Sequence, residues 1–99
     1  MIELKLKDGT VFSDNIESIN VTSNVHSNST LESINIIFKE LISEEDKKLF
    51  TEENCETVTI IDYQGNEQIY TGYNKSIMIG NQFNSNSTRI TVILSKSNQ

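Results

Sequence analysis

Apolar and polar positions alternate along most of this chain. Ile2, Leu4 and Leu6 share one parity and Glu3, Lys5 and Lys7 the other, the period of a strand with one buried face. Asp8-Gly9 follows as a turn, because glycine takes positive φ without steric cost, and Thr10-Val11-Phe12-Ser13 is expected to return antiparallel to the first strand. A third strand is expected from Ile16 to Val25, then the polar loop His26 to Thr30, then a strand from Leu31 to Lys39. Ile34, Ile36 and Phe38 share one face of that last strand while Ile37 lies on the other, a pattern that predicts a central strand partly covered on both sides.

The pattern changes once. Ser43-Glu44-Glu45-Asp46-Lys47-Lys48-Leu49-Phe50 offers a capping serine, acids in the first turn and lysines after them, which predicts a helix of two or three turns near 43–52. Ile42, Leu49 and Phe50 would give it one apolar stripe. Alternation then resumes in 57–63 and 67–73, flanking the short loop Gln64-Gly65-Asn66, and again in 76–80 and 88–96. The fold class expected is α+β, mainly antiparallel β, with about seven to eight short strands in hairpins or a meander and one short helix, all in a single β-rich domain over 1–99.

The two halves share an outline of hairpin, further strand, polar loop and long final strand. Ser-Asn-Ser-Thr even stands before the last strand of each, at 27–30 and 85–88. A third of the residues are Asn, Ser or Thr, so this echo is cheap, but it favours two similar β-units joined by the helix. The same composition makes the sequons at Asn20, Asn28 and Asn86 chance matches.

Size supports one core: 99 residues should expose ~5,700 Å² folded against ~16,000 Å² unfolded. The net charge of −6 and a single arginine, Arg89, argue against direct nucleic-acid binding through phosphates. No run of 18 apolar residues and no basic-then-apolar leader is present, so a soluble chain with no membrane partner is expected. Fourteen Ile, twelve Asn, seven Lys and no Ala suit AT-rich codons and a low-GC bacterial or phage source.

Chemistry is sparse. The one histidine, His26, falls in a polar loop beside Ser27 and Ser29 with no strained Gly-x-Ser-x-Gly turn, and reads as a solvated side chain. Cys55 has Glu52, Glu53 and Glu56 around it in sequence, which disfavours a thiolate. Metal-ligand spacings and phosphate-binding glycine patterns are missing, so no catalytic residue, cofactor, metal or small-molecule substrate is expected, and no enzyme. Two surface features remain. Residues 40–56 carry seven acids against Lys47 and Lys48, net −5, and make Glu44, Glu45, Glu52, Glu53 and Glu56 candidate partner contacts. Tyr63, Tyr70 and Tyr73, with Phe83, form a candidate aromatic cluster. With no proline in the chain, strand edges are open to pairing, and Lys5 and Lys7 are the residues expected to blunt the first strand.

The segments 2–10, 43–50, 59–65, 70–73 and 89–94, in this order, resemble small uncharacterised tail-region proteins of phages and prophages of low-GC Gram-positive bacteria. The resemblance is one of element order over most of the chain. It implies a non-enzymatic structural or assembly component of a phage tail, baseplate or fibre region, or of a tail-like particle. Such a component is oligomeric, contacts other virion proteins and copies of itself, resides in the virion and is assembled in the cytoplasm of a bacterial host. It transfers no catalytic residue. The alternatives are a small acidic phage-encoded inhibitor of a host defence protein, which would use the acids of 40–56, and a capsid decoration protein.

Overall fold

The computed structural model describes residues 2–81 and 86–98. The strands are β1 (Glu3–Lys5), β2 (Val11–Phe12), β3 (Ile16–Val25), β4 (Ser29–Phe38), β5 (Thr57–Ile61), β6 (Glu67–Thr71), β7 (Tyr73–Asn81) and β8 (Thr88–Ser97); the helix α1 (Glu44–Lys47) lies between β4 and β5. They form two four-stranded antiparallel sheets, ordered β2-β1-β5-β6 and β3-β4-β8-β7. The chain is therefore nearly all β. β4 is central, as Ile37 on its second face predicts, and it pairs with β3 over Ile16↔Phe38 to Val25↔Thr30 and with β8 over Ser29↔Ser97 to Ile37↔Arg89.

The core is where the inner faces meet. Ile34, Ile36 and Phe38 of β4 and Ile90, Val92 and Leu94 of β8 lie against Leu4 of β1 and Val58 of β5, all of them fully buried. One end is closed by three rings: Phe12 stacks on Phe50 at 5.3 Å, and Phe38 meets them edge-on at 5.9 and 6.4 Å.

The helix is shorter than its sequence suggests. Ser43 Oγ accepts the Asp46 N–H at 3.1 Å, the expected cap, but α1 stops at Lys47 after one turn. Packing ends it, because Phe50 must enter the ring cluster and Ile42 the core, with Leu49 packed beside them, while Ser43, Glu44, Glu45 and Lys48 stay at the surface. The expected strand over 67–73 is also divided. β6 ends at Thr71 in one sheet and β7 starts at Tyr73 in the other, with Gly72 as the corner. There the Gly72 N–H donates to the Glu56 carbonyl at 3.1 Å, and a Cβ on Gly72 would lie 2.6 Å from the Ser95 carbonyl oxygen. Close approach of β8 requires glycine at that corner.

The topology is unchanged when the halves are exchanged, with β1 matching β5, β2 matching β6, β3 matching β7 and β4 matching β8. Local geometry repeats as well. In the first hairpin the Leu6 N–H donates to the Thr10 carbonyl and the Gly9 N–H to the Leu6 carbonyl; in the other, Asp62 and Gly65 make the same bonds with Asn66 and Asp62. Gly9 and Gly65 take φ of 94° and 85°, the left-handed residue of a three-residue hairpin loop. β3 bulges at Glu17 and β7 at Lys75. The Ser-Asn-Ser-Thr echo does not follow this symmetry: Thr30 pairs with Lys96, whereas Thr88, two strand positions removed in register, matches Glu32. The shared outline was the sound signal, and the repeated tetrapeptide was a coincidence of composition.

Candidate functional site

At the ring-cluster end the first hairpin turn meets the chain that follows α1, with Asn54 as the joint. Its side-chain Oδ1 accepts the Asp8 N–H at 2.8 Å, its Nδ2 donates to the Leu49 carbonyl at 2.8 Å, and its own N–H donates to Thr51 Oγ1 at 3.1 Å. The Lys7 N–H donates to the Asn54 carbonyl at 3.0 Å. Above this joint opens a concavity of about 460 Å³ lined by Lys7, Asp8, Lys48, Leu49, Thr51, Glu53 and Asn54. Its walls mix charges and its floor amide is committed to structure. The Asp8 carboxylate accepts the Thr10 N–H, which holds its pKa below the usual 3.8, so it stays an anion at neutral pH and offers no proton. Cys55, beside the joint, is fully buried, and burial pushes its thiol up to about 12. Desolvation, more than the neighbouring carboxylates, keeps this cysteine from nucleophilic work.

The acids chosen from sequence are close in the chain but do different things. Glu44, Glu45, Glu52 and Glu53 are exposed, with Glu44 paired to Lys47 at 3.3 Å and Glu53 on the concavity wall. Glu56 is half-buried and pairs with Lys7 at 3.1 Å, a contact across sheet and loop worth about 0–1 kcal/mol at this exposure.

The tyrosines do not form a cluster. Tyr63 lies in the β5–β6 loop, 73% exposed, beside a second concavity with Ile2, Asp14, Glu17 and Lys39. Tyr70 is at the opposite end of that hairpin, paired with Val58 and packed on the core. Tyr73 is in the other sheet, 70% exposed. Phe83 and the loop residues Asn84 and Ser85 lie outside the described residues. Tyr63 is left in the hairpin loop, and the sheet change at Gly72 separates Tyr70 from Tyr73.

His26 is exposed, and its backbone is tied into the β3–β4 loop: its N–H donates to the Ser29 carbonyl at 2.7 Å and its carbonyl accepts Asn98 Nδ2 at 2.8 Å. Among the described residues no three His, Cys, Asp or Glu side chains converge as a metal site, and no helix is long and apolar enough to cross a membrane.

Edges are a second candidate, and sequence reasoning assigned the wrong residues to them. β1 lies between β2 and β5, so Lys5 and Lys7 guard no edge. The long edge strands are β3 and β7. β7 carries Tyr73, Met78 at 53% exposure and Ile79 at 41%, three of the large apolar side chains left in water. The signal was present in Ile77-Met78-Ile79, apolar on both parities in a strand followed by glycine. Beside Met78 a groove of about 410 Å³ runs over Asn35, Gly80, Arg89 and Thr91 on the outer face.

Comparison with protein-family models, with curated proteins and with solved structures returns no match to this chain.

Proposed function

We propose that this chain is a structural or assembly component of a phage tail, baseplate or fibre region, or of a tail-like particle, acting by contact with other virion proteins and with copies of itself. The observation that carries this reading is the long unpaired edge of β7 with Tyr73, Met78 and Ile79 exposed along it. Unpaired strand edges and half-exposed apolar residues are the materials of strand-to-strand assembly. The resemblance in element order to phage tail-region proteins supports the same reading. The test is quantitative mass spectrometry of purified particles from the source phage or prophage: a fixed copy number relative to a known tail protein is expected, and expression in infected cells without incorporation into particles refutes it.

The exposure of Glu44, Glu45, Glu52 and Glu53 favours one second reading, an acidic inhibitor that occupies a basic groove on a host defence protein. Charge reversal at these four positions separates the two. An inhibitor loses its host target on this reversal, whereas a virion component need not lose assembly.

A further inference from the structure

We infer that two copies of this chain join through their β7 strands, antiparallel and centred on Met78, to make one continuous eight-stranded sheet. The inference deepens the assembly reading and rests on it only in taking copies of the chain to be present together. Of the four sheet edges, β7 is the one that combines length with an exposed apolar side chain in mid-strand on its outer face. β2 has two residues, β6 has five and exposes Ile69 beside Glu67, and β3, with Glu17 at its bulge as β7 has Lys75, exposes Asn20, Thr22, Ser23 and Asn24 along its length and Val25 at its end. β7 has its charge, Lys75, confined to the bulge, and Ser76 to Asn81 run on uncharged.

The backbone of β7 is oriented for this pairing. The Thr88 N–H donates to the Glu40 carbonyl, on the β4 side of β8. Alternation along an antiparallel strand then turns Arg89 and Thr91 toward β7, where they pair with Gly80 and Met78. The N–H and carbonyl groups of Ile77 and Ile79 consequently point away from the sheet. In the register centred on Met78, Ile77 of each copy faces Ile79 of the other and exchanges those main-chain bonds with it.

Side chains agree with the register. Ile77 sits opposite Ile79 on the inner face, Ser76 opposite Gly80 and Met78 opposite Met78 on the outer face, and Lys75 opposite Asn81, so no like charges oppose one another. The Met78 pair occupies a non-hydrogen-bonded site, where side chains approach most closely. It projects over the groove lined by Asn35, Gly80, Arg89 and Thr91, and methionine adapts to such an irregular surface. The pairing is isologous, so it closes at two copies and does not propagate into a fibre.

The experiment is sedimentation velocity over roughly 1 µM to 1 mM on the full chain and on Met78→Lys and Met78→Glu, each checked for an unchanged far-UV spectrum. Met78 is an exposed outer-face residue, so both variants keep the core. The unsubstituted chain is expected to dimerise, each variant alone to dimerise at least tenfold more weakly through like charges placed opposite each other, and the equimolar mixture to recover a Lys/Glu heterodimer. A chain monomeric at the highest concentration overturns the pairing. A dimer indifferent to both variants, or a mixture that fails to recover, overturns the β7 register while leaving assembly through another surface intact. Absence from particles tells separately against the virion reading.

Discussion

Gly72→Ala puts the sandwich corner to a quantitative test. The added Cβ would stand 2.6 Å from the Ser95 carbonyl oxygen, 3.2 Å from its carbon and 3.5 Å from Leu94 Cβ. Both sides of the contact are fixed. Ser95 is paired with Tyr73 on one side and Leu31 on the other, and the Gly72 N–H is bound to the carbonyl of Glu56, the residue that leads into β5. Relief requires the β6–β7 corner to lift from β8, which loosens Tyr70 and Leu94 in the core. Overpacking of this kind costs about 1–3 kcal/mol, and for a domain of this size each kcal/mol moves Tm by roughly 4–8 °C. We expect a lower urea midpoint with an unchanged slope and a fall in Tm of about 5–20 °C. Gly80→Ala is the internal control, since a Cβ there meets nothing within 4 Å and its φ is ordinary; it should be neutral or slightly stabilising. Equal stability of the two variants would show that the corner is not held against β8, and the reasoning would fail.

Further outcomes follow from single groups. Asn74 faces the core opposite Leu94, 6% exposed, with neither amide atom hydrogen-bonded to a described residue; Asn74→Leu should raise stability by about 1–3 kcal/mol in urea titration, and a loss would reveal a partner for the amide. Cys55 should resist a thiol reagent at pH 8 in native buffer and react at the rate of global unfolding as urea is added, whereas native-state labelling on mixing would contradict its burial. Asp8 and Asp62 are held below the usual carboxylate value by backbone N–H bonds, from Thr10 and from Asn66 and Gln64 respectively. Depressed carboxylates add stability above their unfolded pKa and lose it as pH falls through the folded one, so the urea midpoint should drop below about pH 4. Asp8→Asn should flatten that acid limb; an unaltered limb would remove Asp8 from the explanation.

Strands were legible from sequence because the central strands β4 and β8 each set a run of apolar residues on one buried face. Ile34, Ile36 and Phe38 had to share a side, and the bounds Ile16–Val25 follow from the same alternation. Gly9 and Gly65 marked their turns because only positive φ closes those hairpins. What alternation does not carry is the partner of each face. Nothing local distinguishes a strand that continues from one that changes sheets, and Gly72 acts through Ser95, 23 residues later in the chain. The same limit explains the candidate site: Tyr70 and Tyr73 are three residues apart yet face different environments, and the Lys7–Glu56 pair joins positions 49 apart.

The symmetry of the fold makes its departures informative. Exchange of the halves equates β3 with β7, two edge strands that share a bulge and an inner face packed on the same core. Equivalent backbones meeting equivalent cores have no folding reason to differ on the side turned to water. They do differ: where β3 presents Asn20, β7 presents Met78, whereas the inner-face counterparts Val21 and Ile79 are both apolar. Exposed apolar side chains gain nothing from folding one copy alone, since burial is what stabilises them. Their gain lies in covering by a second surface, and the edge that keeps its backbone groups free is the one that carries them. Grafting the β3 residue onto β7 with Met78→Asn should therefore leave the monomer within about 1 kcal/mol of its original stability in urea titration while abolishing self-association in sedimentation. A large loss of monomer stability would place that side chain in the service of the fold instead.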